Sequence, residues 1–405
     1  MTSKVEPKAL LPALTGLRFF AAAAVVVYHF GLGVAQKAEI PLLLDIARTG
    51  YLGVGLFFVL SGFVLTYSSR DAAVSSGPRA FYQARFARVF PLHGVAWLLA
   101  ALFYVPNVLH EGGSSAVLKL VLLAPVTLFL LQAWTPFSAL SWNGPAWSLS
   151  VEAFFYSLFP RLAKSEGRRS LPWLWAAAVV IALVALCVAW WVPGKTQLLG
   201  TTVSLSTLVD RTAGFHPLLR LPEFLFGVEL AKRLTGPRSA ISANAGWVSL
   251  GLLVWFFGCV MLGSRVFEAR FLAQALLVPV FGWVIWRLAT TVGFWVRFLS
   301  ARPLRWLGEV SFAIYILQDP MWEMASSMHH GLFPADRHPG WAGLALFSVL
   351  LLAVSALAHH AIERPMQAWL RPKRVVSNEK PTKPGPGDLV SGVEAVVTAP
   401  ESRQF

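Results

Sequence analysis

Long apolar runs, divided by short basic or polar stretches, repeat along almost the whole chain. They lie near residues 10–30, 50–68, 89–109, 117–133, 145–160, 172–193, 214–230, 246–263, 270–288, 309–328 and 341–362. A helix that crosses a bilayer needs about 20 predominantly apolar residues. The pattern therefore predicts an all-α, polytopic membrane helix bundle. Basic clusters alternate with the runs: Lys4/Lys8; Arg70/Arg79/Arg85/Arg88; Arg161/Lys164/Arg168/Arg169; Lys232/Arg233/Arg238; Arg287/Arg297/Arg302/Arg305; and Arg364 with the tail. They hold most of the 34 lysines and arginines, and such clusters stay on the cytoplasmic side. Consecutive cytoplasmic loops must be separated by an even number of spans. Every interval obeys this except 89–160, which contains three segments. Segment 117–133 is short and interrupted by Lys119 and Pro125, so it is expected to be re-entrant, interfacial or a broken helix. The expectation is about ten transmembrane helices with both termini cytoplasmic, in a multi-pass protein of the inner (plasma) membrane.

Composition sharpens this picture. The 405 residues are 56% hydrophobic and only 13% charged, whereas a soluble domain is about a quarter charged. A soluble enzyme on a single anchor is excluded. The net charge of +14 is largely sorted to one membrane face and gives no reason to expect nucleic acid. Cys187 and Cys259 both lie in apolar runs and supply neither a disulfide framework nor a zinc quartet. The first apolar run continues through Val25, Val26 and Val27, so it reads as a retained span rather than a cleaved signal. Residues 1–370 are expected to form one integral-membrane domain. The Lys/Pro/Gly/Ser-rich segment 371–405 is expected to be a disordered cytoplasmic tail.

In so apolar a chain, ionisable groups inside spans are the functional candidates, because each is costly unless paired or water-lined. Arg18 and His29 are 11 residues apart, which on an ideal helix places them within about 20° of one stripe and roughly 16 Å apart along the axis. The spacing alone leaves open a snorkelling arginine and a structural histidine. Arg85 and Arg88 share a helix face at a cytoplasmic mouth. Two guanidiniums there suit a phosphate or pyrophosphate, or simply mark the inner side. Glu152 falls inside the fifth segment and must be protonated or paired, with His29 an attractive partner. Glu223 lies one turn from Arg220, which suits a structural tie. The glycines and Ser61 of Gly50–Gly62 suit close helix approach. His359 and His360 read as interface anchors. His329, His330 and His338 lack the spacing of a metal site, and no metal is expected.

Taken in order, these segments resemble the membrane-bound acyltransferase-3 family of O-acyltransferases. The resemblance rests on Leu14-Thr-Gly-Leu-Arg18 with His29, Phe57-Phe-Val-Leu-Ser-Gly62, Arg85-x-x-Arg88 before Pro91, and Trp147-Ser-Leu-Ser-Val-Glu152 with Tyr156. It continues through Arg220-Leu-Pro-Glu-Phe-Leu-Phe-Gly227, Leu307-Gly-Glu-Val-Ser-Phe-Ala-Ile-Tyr315 and Glu363-Arg-Pro365. One departure is Gln318, where many relatives carry His. The resemblance implies transfer of an acyl group, most simply acetyl, from acyl-CoA as co-substrate to a carbohydrate hydroxyl. The carbohydrate would belong to a cell-surface polysaccharide, lipopolysaccharide or exopolysaccharide, or to a small metabolite such as a macrolide. It implies His29 as general base with Glu152 orienting it, and Arg18, Arg85 and Arg88 holding the phosphates of coenzyme A. Trp147, Ser148, Tyr156 and Ser61 would contact the acceptor. No permanently bound cofactor and no fused hydrolase-like domain are expected. The bilayer, acyl-CoA and the acceptor are the expected partners, and a homo-oligomer is compatible. A glycan or lipid transporter is the rival from another class.

Overall fold

The computed structural model describes residues 11–75, 77–111, 113–164, 195–198, 201–235, 270–332 and 340–370. The candidate segments 172–193 and 246–263, both cysteines and the tail from 371 onward lie outside the described residues. Helix α1 (Pro12–Val26) starts on a proline at its first position, where the missing N–H is not needed. It passes through a π-helical turn (Val27–Gly31) into α2 (Leu32–Lys37). There follow α3 (Pro41–Thr49), α4 (Leu52–Ser75), α5 (Gly77–Glu111), α6 (Ala116–Leu128) and α7 (Trp147–Lys164). A two-stranded antiparallel hairpin, β1 (Lys195–Leu198) and β2 (Thr201–Ser204), is the departure from an all-helical chain among the described residues. The β-branched Thr201, Thr202 and Val203 favour it locally. Then come α8 (Leu205–Phe215), α9 (Pro217–Thr235), α10 (Arg270–Thr290), α11 (Phe294–Leu299), α12 (Arg302–Leu332) and α13 (Trp341–Ala358). A second π turn (His359–Glu363) leads into α14 (Arg364–Leu370).

Four helical stretches among the described residues are long and apolar enough to cross a membrane: Pro12–Lys37, Pro41–Ser68, Gly77–His110 and Trp341–Leu370. Leu98 and Leu102 of α5 and Leu346, Val349 and Leu350 of α13 are exposed, which gives these helices an apolar outer surface suited to lipid. By contrast, α6 has 13 residues, roughly 20 Å at 1.5 Å per residue, well short of the ~30 Å hydrocarbon core. Pro125 is carried inside this helix rather than ending it. The helix ends because α5 receives its last carbonyls. The His93 Nε2–H donates to Thr127 O and Leu128 O, each at 3.2 Å, and the Trp97 indole donates to Thr127 Oγ1 at 2.9 Å. Thr127 O also accepts from the Leu130 N–H at 3.3 Å, so His93 chiefly serves the Leu128 carbonyl at the helix end. Leu130 then turns the chain back with φ of 58°.

Two helix contacts position the site. Where α4 meets α9, Gly62 abuts the Phe224 carbonyl and Gly227 abuts the Val59 carbonyl. Each glycine thus admits the other helix's backbone, the small-residue packing that membrane bundles use. Around this seam Phe155 of α7 stacks on Phe224 at 4.6 Å and meets Phe58 edge-on at 5.4 Å. Where α1 meets α12, Gly308 abuts the Thr15 carbonyl, and farther along Phe30 lies 4.6 Å from Trp322. The order of these pairs makes α1 and α12 parallel.

Candidate active site

Arg18, Ser61, Arg85, Arg88, Glu152 and Tyr156, singled out separately along the chain, line one cavity of about 420 Å³ together with Phe57 and Leu60. Their convergence follows from helix geometry. Arg85 and Arg88 share a face of α5 because they are three apart, and Ser148, Glu152 and Tyr156 recur every four residues along α7. Arg18 projects between them from α1. Arg88, Glu152, Glu363 and Tyr156 all lie within electrostatic range of it. The Tyr156 hydroxyl is hydrogen-bonded to Glu152. The Arg85 guanidinium lies over the rings of Phe81, at 5.6 Å, and Tyr156, at 6.0 Å, a cation–π arrangement. One carboxylate therefore sits among three guanidiniums, and the cavity carries a net positive charge.

A second cavity, of about 430 Å³, shares Arg18, Phe57 and Glu152 with the first and adds Ser148, Leu149, Ser311, Phe312 and Tyr315. The Ser148 hydroxyl donates to the Tyr315 hydroxyl at 2.8 Å, and that hydroxyl donates to Pro145 O at 3.1 Å. One turn beyond Tyr315 on α12 lies Gln318, fully buried, whose Nε2 donates to Tyr315 O at 2.8 Å. Its Oε1 lies 3.3 Å from His29 Nδ1. Ser311, Tyr315 and Gln318 stand at i, i+4 and i+7, one face of a helix. That spacing was the available signal for residues the sequence reading left unassigned.

The loop before α7 docks on this same stretch of α12. Pro320 has no N–H, so the carbonyl of Ile316 lacks its helical donor, and Asn143 Nδ2 supplies one at 3.0 Å. The backbone N–H of Gly144 donates to Asp319 Oδ2, also at 3.0 Å. The proline thus opens a helix turn that the loop fills, beside the residue that meets His29.

Several expectations change. Glu152 faces Arg18 and Tyr156 on the cavity side of α7, whereas His29 lies in the π turn and meets Gln318 of α12, so the described contacts do not bring the two expected partners together. His29 is exposed and is not among the residues lining either cavity. The single-stripe estimate for Arg18 and His29 assumed an unbroken α-helix, and the π turn at Val27–Gly31 adds a residue to that turn. Trp147 packs on Phe58 and Phe215 instead of facing a cavity. Ser148, Tyr156 and Ser61 do line the cavities. Arg220 and Glu223 form a buried 2.8 Å ion pair within α9, and Arg220 also donates to Gly214 O at the end of α8. His359 is no interface anchor. It is buried and bonded to Glu363 at 2.8 Å, whereas the exposed His360 accepts from the Trp306 indole. The side chains of His329, His330 and His338 lie outside the described residues. Among the described residues no cluster of three metal-ligating side chains occurs.

Comparison with known proteins adds an independent line. A family model described as an acyltransferase domain matches residues 11–360. The chain is 31% identical over 380 residues to the acyltransferase MdmB of Streptomyces mycarofaciens, covering 91% of this chain and 94% of that protein. It is 24% identical over 336 residues to the peptidoglycan O-acetyltransferase OatA of Listeria monocytogenes, covering 77% of this chain and 49% of the relative. It is 23% identical over 383 residues to the O-acetyltransferase OatA of Staphylococcus aureus, covering 88% and 57%. The chain thus spans nearly all of the first relative and about half the length of the other two. No solved structure matches.

Proposed function

The chain belongs to the acyltransferase-3 family and is an acyltransferase, and from that premise we propose that it moves an acetyl group from acetyl-CoA to a carbohydrate hydroxyl at the plasma membrane. The observation that carries this reading is the convergence of Arg18, Arg85 and Arg88 on one cavity. Guanidiniums bind phosphate oxygens bidentately, and the donor of an acetyl thioester carries several phosphates. The second cavity continues from Arg18 and Glu152 to Ser148 and Tyr315, and Tyr315 is bonded to the residue that meets His29. In this reading the donor's arm follows that line, and His29 takes the proton from the acceptor hydroxyl. The hydroxyl oxygen attacks the thioester carbonyl, the carbon–sulfur bond breaks, and the thiolate leaves to take up a proton. Coenzyme A is a co-substrate here, not a resident cofactor.

The acetyl group is in the names of both OatA relatives, and the peptidoglycan acceptor in that of the Listeria one. The basic clusters and apolar runs support ten spans with both termini cytoplasmic. The deciding experiment incubates purified protein with labelled acetyl-CoA and an acceptor pool, followed by mass spectrometry of envelope glycans and secreted metabolites. Acetylated glycan supports the proposal; acetylated small metabolites alone would move the acceptor to that class. Replacing His29 by Ala should lower turnover by about 10²–10⁴-fold while leaving donor binding intact. Undiminished turnover in that variant would remove His29 from the chemistry.

A further inference from the structure

The surroundings of Gln318 determine what its amide can do. The side chain is fully buried on α12. Its Nε2 is spent on the Tyr315 carbonyl at 2.8 Å, a group that only accepts. Turning the amide over would set two oxygens against each other, so Oε1 must be the atom that faces His29 Nδ1 at 3.3 Å. An amide oxygen accepts and cannot donate, so the bond exists only when Nδ1 carries the proton. Asp319, the carboxylate within electrostatic range of His29 among the described residues, has its Oδ2 engaged by the Gly144 N–H at 3.0 Å. The direct partner of His29 is therefore a neutral acceptor in a fixed orientation.

We propose that Gln318 is a positioning residue that holds neutral His29 as the Nδ1–H tautomer and leaves the Nε2 lone pair free to accept a proton. Free neutral histidine in water favours the opposite tautomer, with the proton on Nε2, which would leave that nitrogen unable to act as a base. The second ring nitrogen's hydrogen bond sets which nitrogen is basic. Here that task falls to an amide rather than to a carboxylate. The constraint is reinforced from the other side of the turn, because Pro320 frees the Ile316 carbonyl for Asn143, and the docked loop fixes the segment that carries Gln318. Only the catalytic consequence of this inference rests on His29 being the base; the tautomer itself does not.

The test is nitrogen-15 NMR of the full chain in lipid nanodiscs, with histidine labelled and the ring neutral, at a pH well above ~6.5. The chain has nine histidines, and the His29 signals are those lost in His29→Ala. The expected wild-type spectrum shows protonated Nδ1 and unprotonated Nε2. Gln318→Leu, which keeps the bulk and removes the acceptor, should shift His29 toward the Nε2–H form. It should also lower kcat by about 10²-fold with the donor KM unchanged. Gln318→Glu, which retains an acceptor oxygen, should restore the Nδ1–H signal. A wild-type His29 carrying its proton on Nε2 would overturn the inference, and that spectrum does not depend on any Gln318 variant folding. Full turnover in His29→Ala with an Nδ1–H wild-type spectrum would instead leave the tautomer assignment standing and sink the catalytic reading.

Discussion

Glu152 shows how much depends on the partner of a single buried charge. Placed beside His29 it would act on the proposed base; placed beside Arg18 and Tyr156 it would act on the proposed donor pocket. Arg18 and Arg88 repel each other across that pocket, and one carboxylate among the guanidiniums keeps both in place. Glu152→Gln preserves shape and removes only the charge. It should raise the donor KM about tenfold, the equivalent of roughly 1.4 kcal/mol, and leave kcat at saturating donor within about threefold. Steady-state kinetics with the donor varied decides between the two placements, because loss of an interaction with the base would instead lower kcat about 10²-fold at saturating donor. The pairing of Arg85 with Arg88, and of Ser148 with Glu152 and Tyr156, was legible in the sequence because three- and four-residue spacings fix a helix face. The meeting of His29 with Gln318 was not, since those residues are 289 apart and no local pattern links them.

At the scale of elements, apolar runs announced the helices, but not the details that aim the side chains. A π turn at Val27–Gly31 leaves no compositional trace, so the ideal-helix stripe through Arg18 and His29 held only as far as Val26. The end of α6 depends on His93 reaching it from α5, a tertiary cap that a one-dimensional reading of 117–133 could not contain. The glycine-rich run before Gly62 signalled close approach, yet not to which helix. The structure supplies the partner and with it a test of opposite signs. A methyl group on Gly227 would run into the Val59 carbonyl, a backbone atom that cannot step aside, whereas Gly94 in α5 has open space where its methyl group would lie. Gly227→Ala should therefore destabilise the bundle by about 1–3 kcal/mol. Gly94→Ala should stabilise it by up to about 1 kcal/mol through helix propensity. Denaturation of the two variants in the same detergent checks the pair; equal shifts would mean that α4 and α9 do not touch as closely as their glycines allow.

The proposed donor role requires the arginine-lined cavity to open on the cytoplasmic side. The short helix α11 adds exposed aromatic residues to one of the basic clusters counted as cytoplasmic. Phe294, Trp295 and Phe298 are exposed there beside the exposed Arg297, Arg302 and Arg305. Exposed aromatic rings suit either membrane interface, and the arginines around them favour the inner one. Because α1 and α12 are parallel, with Gly308 at Thr15 and Trp322 at Phe30, the start of α12 and the start of α1 share that side. The loop that docks on Asp319 and Ile316 then belongs to the opposite face. Single cysteines introduced into a chain lacking Cys187 and Cys259 can read this directly. Ala301 and Thr135 are both exposed, so each is open to a membrane-impermeant maleimide on its own side. Thr135→Cys should label from outside intact cells, and Ala301→Cys only after the membrane is opened. The reverse pattern would place the three arginines on the outer face, away from the coenzyme, and remove the phosphate-binding role from the cavity they line.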